Sequence, residues 1–156
     1  MDELVKKSIT IKERSTRRGF GGWLLLIVAV ICCNFFVVRI AIVYGASMEP
    51  TLKQYDFVLV WQWNYQPNRG DIVVTTAENE LGQSIIKRVA AVEGQTVTYE
   101  QDGKTVELIV SKGQVFLMGD NRSQSVDSRK LGCFDIEEIR GKVILRIFPF
   151  TKITGL

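Results

Sequence analysis

From Phe20 to Val38 the chain reads FGGWLLLIVAVICCNFFVV, with Asn34 its only strongly polar interruption. That is close to the ~20 apolar residues that span a bilayer core at about 1.5 Å rise per residue. Trp23 suits the near interface and Arg39 can snorkel to the far one. Lys6, Lys7, Lys12, Arg14, Arg17 and Arg18 precede the run, against Asp2, Glu3 and Glu13. A positive flank of this kind stays in the cytoplasm. The expected organisation is a cytoplasmic basic segment over 1–19, a single-pass transmembrane anchor over 20–43, and an extracytoplasmic β-rich domain over 44–156. The lipid bilayer is then an expected partner, and any chemistry takes place at the cell membrane. A cleavable signal peptide is the rival reading; its apolar core would be unusually long, and cleavage near Ala46 would cut beside Ser47.

A chain of 156 residues accommodates one domain and an appendage, not two independent cores. The net charge of +3 lies in the N-terminal segment, and the rest balances. A nucleic-acid binder carries its basic excess on the folded domain, so nucleic acid is not an expected partner. Cys32 and Cys33 sit in the apolar run and Cys133 stands far away, so neither a disulfide framework nor a CxxC metal signature is present. Histidine is absent, which removes a Ser-His-Asp triad, a Cys-His pair and the usual zinc sites. Any hydrolytic chemistry needs another base.

After the anchor, short β-branched and aromatic runs recur between turn signals. Strands are expected at Phe57 to Trp63, Ile72 to Thr76, Ser84 to Val92, Thr96 to Glu100, Thr105 to Val110, Val115 to Met118 and Lys142 to Phe148. The fifth and fourth of these join at Asp102-Gly103 as a hairpin. One short helix outside the membrane is expected, Asp135 to Arg140, with Asp135 as its cap. Trp61, Trp63 and Tyr65 alternate with Gln62 and Asn64, which places them on one strand face. That face suits either the core or the membrane interface, where indole and phenol are favoured.

Two residues then acquire chemical interest. Ser47, in Tyr44-Gly45-Ala46-Ser47-Met48-Glu49-Pro50, lies in a tight turn just after the apolar run, where a hydroxyl can meet an extended peptide. Lys87 sits mid-strand between Ile85-Ile86 and Val89-Ala90-Ala91, in surroundings that would desolvate it. A free lysine titrates near ~10.4 and is no base at neutral pH, but burial lowers that value. A drop of three units corresponds to roughly 4 kcal/mol of differential solvation, which the fold must supply. Taken singly, these are an ordinary turn serine and an ordinary strand lysine.

Four separated segments link them: GASMEPTL, NRGDIVV, IIKRVAAVEGQTV and FLMGDNRSQSVDSRKLG. In this order behind an N-terminal anchor, the chain resembles the bacterial type I signal peptidases, and the spacing is similar to the short Gram-positive form. These are membrane-bound serine endopeptidases of the superfamily that includes self-cleaving repressors. The resemblance implies a mostly β fold, a signal-peptidase-like antiparallel domain behind one transmembrane helix. It implies cleavage of N-terminal signal peptides from exported preproteins after small residues, of the Ala-x-Ala type. It further implies Ser47 as nucleophile and Lys87 as general base in a Ser-Lys dyad. By the same resemblance Ser125 hydrogen-bonds and orients the lysine, and Asp127 and Arg129 form a supporting ion pair. Val43, Met48, Leu52, Ile85 and Ile86 match positions lining shallow substrate pockets, and a strand edge near Ile85 would pair with the substrate backbone. The expected partners are preprotein signal peptides, with contact to the secretion machinery, and no cofactor or metal is implied.

The chain departs from the family pattern in places. Gly45 stands where some members have a hydroxyl residue that donates to the oxyanion, which leaves the Ser47 amide as the main donor. Tyr55 replaces a usual glycine, and Glu93 and Gln95 replace a proline and an aspartate. The competing reading is a noncatalytic or locus-dedicated relative assisting assembly of surface polymers such as pili; retention of both Ser47 and Lys87 speaks against lost catalysis. A self-cleaving repressor would need a DNA-binding module in place of the anchor. Arg69-Gly70-Asp71 falls inside NRGDIVV before a strand, which argues against an adhesion motif. Asp120 and Asp127 lack the surrounding oxygen-ligand loop of a calcium site.

Overall fold

The computed structural model describes residues 16–76, 82–101 and 103–148, with side chains in the first helix described for residues 21–32. The chain divides into two units, Met1–Phe35 and Phe36–Leu156. The first contains helix α1 (Thr16–Phe36) except for its last residue. Its described side chains are all exposed, Trp23 and Leu25 by 70% and 73%. Among the described residues no helix is long and apolar enough to cross a membrane. Residues 1–15 of the expected basic segment lie outside the described residues.

The expected anchor boundary at residue 43 needs correction, because the helix ends at Phe36 and Val38–Ile42 forms strand β1. Val38, Ile40 and Ile42 alternate with Arg39 and Ala41, the period of a strand. They pair antiparallel with β2 (Phe57–Trp61), Val38 opposite Trp61 and Ile42 opposite Phe57. Hydropathy alone merged this strand with the helix before it.

The second unit is mostly β. Its further strands are β3 (Ile72–Thr75), β4 (Ile86–Val92), β5 (Thr96–Gln101), β6 (Lys104–Ile109), β7 (Gln114–Met118), β8 (Phe134–Asp135) and β9 (Ile139–Phe148). Among the described residues, seven strands make one sheet in the order β1-β2-β9-β3-β4-β7-β8, antiparallel throughout. β5 and β6 form a separate hairpin, Thr96 opposite Ile109. Its turn contains Gly103 at φ +73, and Asp102 lies outside the described residues. Register shifts interrupt β2 against β9, β9 against β3 and β4 against β7. Such bulges bend a strand and increase its twist.

Three expectations change. The strand carrying Trp61 stops there. Asn64 has φ +46, the Trp61 indole N–H donates to Trp63 O at 2.9 Å, and the Tyr65 hydroxyl donates to Asp71 at 2.6 Å. The three aromatics therefore share no strand face. The stretch expected as a helix over Asp135 to Arg140 is a 3₁₀ turn, Ile136–Glu138, because Ile139 and Arg140 already belong to β9. Helix α2 (Ser128–Leu131) was not anticipated, although Asp127 caps its first turn and Gly132 follows it at φ +82.

The core of this unit includes a cluster of Val43, Met48, Leu52, Val58, Val60, Ile72 and Val143. Met48 and Leu52 come from the serine-bearing turn and are 1% and 0% exposed. Fully burying side chains of this size stabilises by about 1.5–3 kcal/mol each, so the turn is held from below. Leu52, expected to line a substrate pocket, is instead interior. Leu52→Met conserves volume and should cost less than about 1.5 kcal/mol in denaturant unfolding while leaving preference for small substrate side chains as it was.

Candidate active site

The turn after β1 closes on itself through backbone bonds. Val43 N–H donates to Asp56 O at 2.9 Å, Tyr55 N–H to Val43 O at 2.8 Å and Leu52 N–H to Met48 O at 2.9 Å. Gly45 adopts φ +84, a left-handed conformation that favours glycine. The segment after β7 holds the turn from its other side, Asn121 N–H donating to Ser47 O at 3.0 Å. Arg146 of β9 donates to Asp56 at 3.2 Å. Ser47 is half-buried, and its amide N–H has no backbone acceptor among the described residues.

Strand alternation decides where Lys87 goes. Along β4 the positions of Lys87, Val89 and Ala91 are buried, and Lys87 lies opposite the buried Val73 of β3. The lysine is 4% exposed, with Nζ 2.8 Å from Ser47 Oγ and 3.1 Å from Ile86 O. Burial lowers its pKa from the ordinary lysine value, opposed in part by the negative charge of Asp127. The serine and the lysine, 40 residues apart in sequence, are thus brought within hydrogen-bond reach.

Asp127 is fully buried and receives the Gly119 amide at 2.9 Å. Arg129 donates to both of its oxygens, at 2.8 and 2.9 Å. Burial pushes the carboxyl up, but Arg129 and the Gly119 amide outweigh it and leave the pKa below the ordinary value. Asp127 and Arg129 are thus paired in the fold.

Ser125 does not make the expected bond to Lys87. The lysine instead meets Ser47 Oγ and Ile86 O, while the buried Ser125 hydroxyl lies near Asp127, whose pKa it helps to lower. Gly119 lies close to both serines: a Cβ there would collide with both Ser125 Oγ and Ser47 O, so only glycine fits. Ser125 reaches the site through packing against Gly119.

A cleft of about 130 Å³ opens beside the pair, with Val43, Met48, Ile85 and Ile86 in its lining. Four of the five expected pocket residues are thus brought together beside Ser47, and Leu52 is not. Ile42, Tyr44, Gln83 and Ser84 also line it.

Sequence reasoning missed a second set of residues that ties these segments together. Arg88, next to the lysine, donates to both oxygens of Asp120 at 2.8 Å each and to Gly70 O at 2.7 Å. Asp120 also accepts from the Thr51 hydroxyl at 2.5 Å. Burial raises the Asp120 pKa, but the bonds from Arg88 and Thr51 outweigh it and hold the carboxyl below its usual range. The lysine strand, the serine turn and the Gly119-Asp120-Asn121 segment are therefore pinned at one point. Thr51→Val should cost about 1–3 kcal/mol in urea unfolding and lower kcat more than it raises KM, since it loosens the serine turn without entering the cleft.

The family model for signal peptidase, peptidase S26, matches residues 19–108 and 103–148. Mitochondrial inner membrane protease subunit 1 of Xenopus tropicalis is 32% identical over 144 residues, 88% of this chain and 86% of that protein. Probable signal peptidase I-1 of Synechocystis is 34% identical over 160 residues, 82% of each. A signal peptidase I crystal structure from Enterococcus faecalis covers 51% of this chain and 97% of that one, at 24% identity and a TM-score of 0.43.

Proposed function

This chain belongs to the peptidase S26 signal peptidase family, and we propose that it is a membrane-anchored serine endopeptidase that removes signal peptides from exported preproteins after small residues. The observation carrying this reading is the 2.8 Å contact between Ser47 Oγ and a lysine Nζ that is 4% exposed. In the neutral state favoured by burial, Lys87 takes the Ser47 proton as Oγ bonds to the scissile carbonyl carbon. The Ser47 amide faces the developing oxyanion. Lys87 then passes the proton to the leaving amine, and water attacking the acyl-enzyme restores the serine. Val43, Met48, Ile85 and Ile86 confine the acyl side to small side chains, of the Ala-x-Ala type.

The apolar run beginning at Phe20 serves as the anchor, with the N-terminus cytoplasmic and residues from β1 onward extracytoplasmic. The test is cleavage of an Ala-x-Ala preprotein by the purified full-length chain in detergent, with product termini read by mass spectrometry. A single cut after the second alanine, absent with Ser47→Ala, is expected. No cut, or an equal cut by the alanine variant, would overturn the reading.

A further inference from the structure

We propose that Tyr44, propped by Tyr55, is a specificity-determining residue that receives an apolar or aromatic side chain of the peptide substrate, the one standing between the two small residues of an Ala-x-Ala sequence. This deepens the endopeptidase reading and rests on it. The starting point is a backbone outlier. Tyr55 has φ +68, a left-handed conformation that glycine adopts freely and a bulky residue rarely does. It arises where Val43 faces two residues at once, donating to Asp56 O at 2.9 Å and accepting from the Tyr55 amide at 2.8 Å. Two residues opposite one, the first of them left-handed, make a β-bulge, and bulges beside active sites re-aim a side chain.

The re-aimed ring meets Tyr44 edge to face, with centroids 6.0 Å apart and planes at 85°, a favoured aromatic geometry. Both rings stay largely in solvent, 72% exposed for Tyr44 and 61% for Tyr55. The pair therefore adds little to the core, and its use lies in what it presents. Strain held at such a place has a fixed orientation of the Tyr44 ring as its product.

The placement argues for a substrate side chain. Tyr44 lines the same cleft as Ser47 and Lys87, and Tyr55 stands outside that lining. Val43 and Tyr44 continue the alternation of β1, the valine buried and the tyrosine in solvent. An extended peptide alternates in the same way. With its first and third side chains before the scissile bond directed into the cleft, toward Val43 and Met48, the second points outward, on the side where the Tyr44 ring stands. The chemistry of the lining sets the class. Among the described residues Lys87 is its one basic or acidic residue, and it is buried, whereas Ile42 beside Tyr44 is 38% exposed. An uncharged ring flanked by isoleucine suits a large apolar side chain.

The experiment uses the full-length Ser47→Ala chain in neutral detergent and fluorescein-labelled Ala-x-Ala peptides in which x is Phe, Leu or Ser. The Phe and Leu peptides should bind about threefold to tenfold more tightly than the Ser peptide, as expected for one side chain packed on an exposed ring. Tyr44→Ala should erase that ratio and Tyr44→Phe preserve it. Tyr55→Gly relaxes the backbone and removes the prop, so it should reduce the ratio without lowering the denaturant midpoint, and Tyr55→Phe should preserve the ratio. Trp63→Ala, at an exposed aromatic outside the cleft lining, should leave the ratio as it is. Equal binding of all three peptides, no binding of any, or a ratio that survives Tyr44→Ala would overturn the assignment. A ratio that Trp63→Ala also erases would trace the preference to the micelle and overturn it. A full ratio in Tyr55→Gly, or a midpoint that falls in step with the ratio, would overturn the propping role; a full ratio there also decides against Tyr44 should Tyr44→Ala fail to fold. In phosphatidylcholine nanodiscs the ratio should persist, and its loss there would make Tyr44 a lipid contact and overturn the assignment as well. The unsubstituted chain separates the two readings. Cleavage of Phe and Ser peptides with equal KM refutes the specificity role alone, whereas selective binding with no cleavage of either refutes the endopeptidase.

Discussion

Ser47→Ala and Lys87→Met should each lower kcat on an Ala-x-Ala substrate on the order of 10⁴- to 10⁶-fold, with the double variant hardly worse than either single one, because the two groups act as a unit. The physical origin is a single proton. Without Lys87 no strong base remains to take it from Ser47, since Asp127, the carboxylate that acts on Lys87, has a depressed pKa that makes it a weak proton acceptor and is occupied by Arg129 and the Gly119 amide. Activity near that of the unsubstituted chain in either variant, with normal unfolding, would require a different catalytic pair. The same lysine makes a prediction about stability. Its folded pKa lies below the unfolded value of ~10.4, so at pH below the folded pKa the native state carries the full cost of burying it. As pH rises from the folded to the unfolded value, the unfolded chain also loses its proton and the cost fades. Lys87→Met should therefore be as stable as the original or more so near neutrality, and its advantage should shrink as pH climbs toward the unfolded value of ~10.4. A difference flat across that window would falsify the desolvated-base account.

Asp127→Asn should cost about 3–5 kcal/mol, the usual consequence of removing one partner from a buried ion pair. Asparagine fills the same volume and still offers an oxygen to the Gly119 amide, so the loss reports the charge, with Arg129 left unneutralised. Asp127 contributes stability that is present above the unfolded carboxylate value near ~3.9 and lost as pH falls through its depressed folded value. The gap between the two proteins in denaturant unfolding should accordingly close in strong acid. The variant should also move catalysis. Asp127 opposes the depression of the Lys87 pKa, so removing its charge should shift the acidic limb of the kcat/KM profile to lower pH. A limb that stays in place would mean that Asp127 acts only as a structural support.

The contacts of Asp127 and Ser125 differ in what sets them, for a physical reason. Asp127 and Arg129 lie two residues apart, and the turn opening α2 brings the carboxylate onto both the Arg129 backbone and its guanidinium. Local geometry suffices for that pair. Whether Ser125 reaches Lys87 depends instead on how the segment after β7 passes β4, which neighbouring residues do not set, and here Lys87 bonds Ser47 Oγ and Ile86 O. Leu52 belongs to the same class: its chemistry suits either an apolar pocket or an apolar core, and packing against Val58 and Val143 chose the core.

What the sequence determined by itself follows from short-range periodicity. The apolar run at the N-terminus, the serine in a tight turn and the alternation that puts Lys87 on the same face as Val89 and Ala91 are properties of neighbouring residues, set by backbone geometry. The tertiary structure alone decided that β1 lies within the apolar stretch. It also decided that Arg88 meets Asp120 across 32 residues and Thr51 meets Asp120 across 69, and that Gly119 packs against both Ser47 and Ser125. Those contacts depend on strand register and on bulges that bend the sheet. A shift of one residue in register would exchange the faces of a strand without altering its local pattern, so no reading of neighbouring residues contains them.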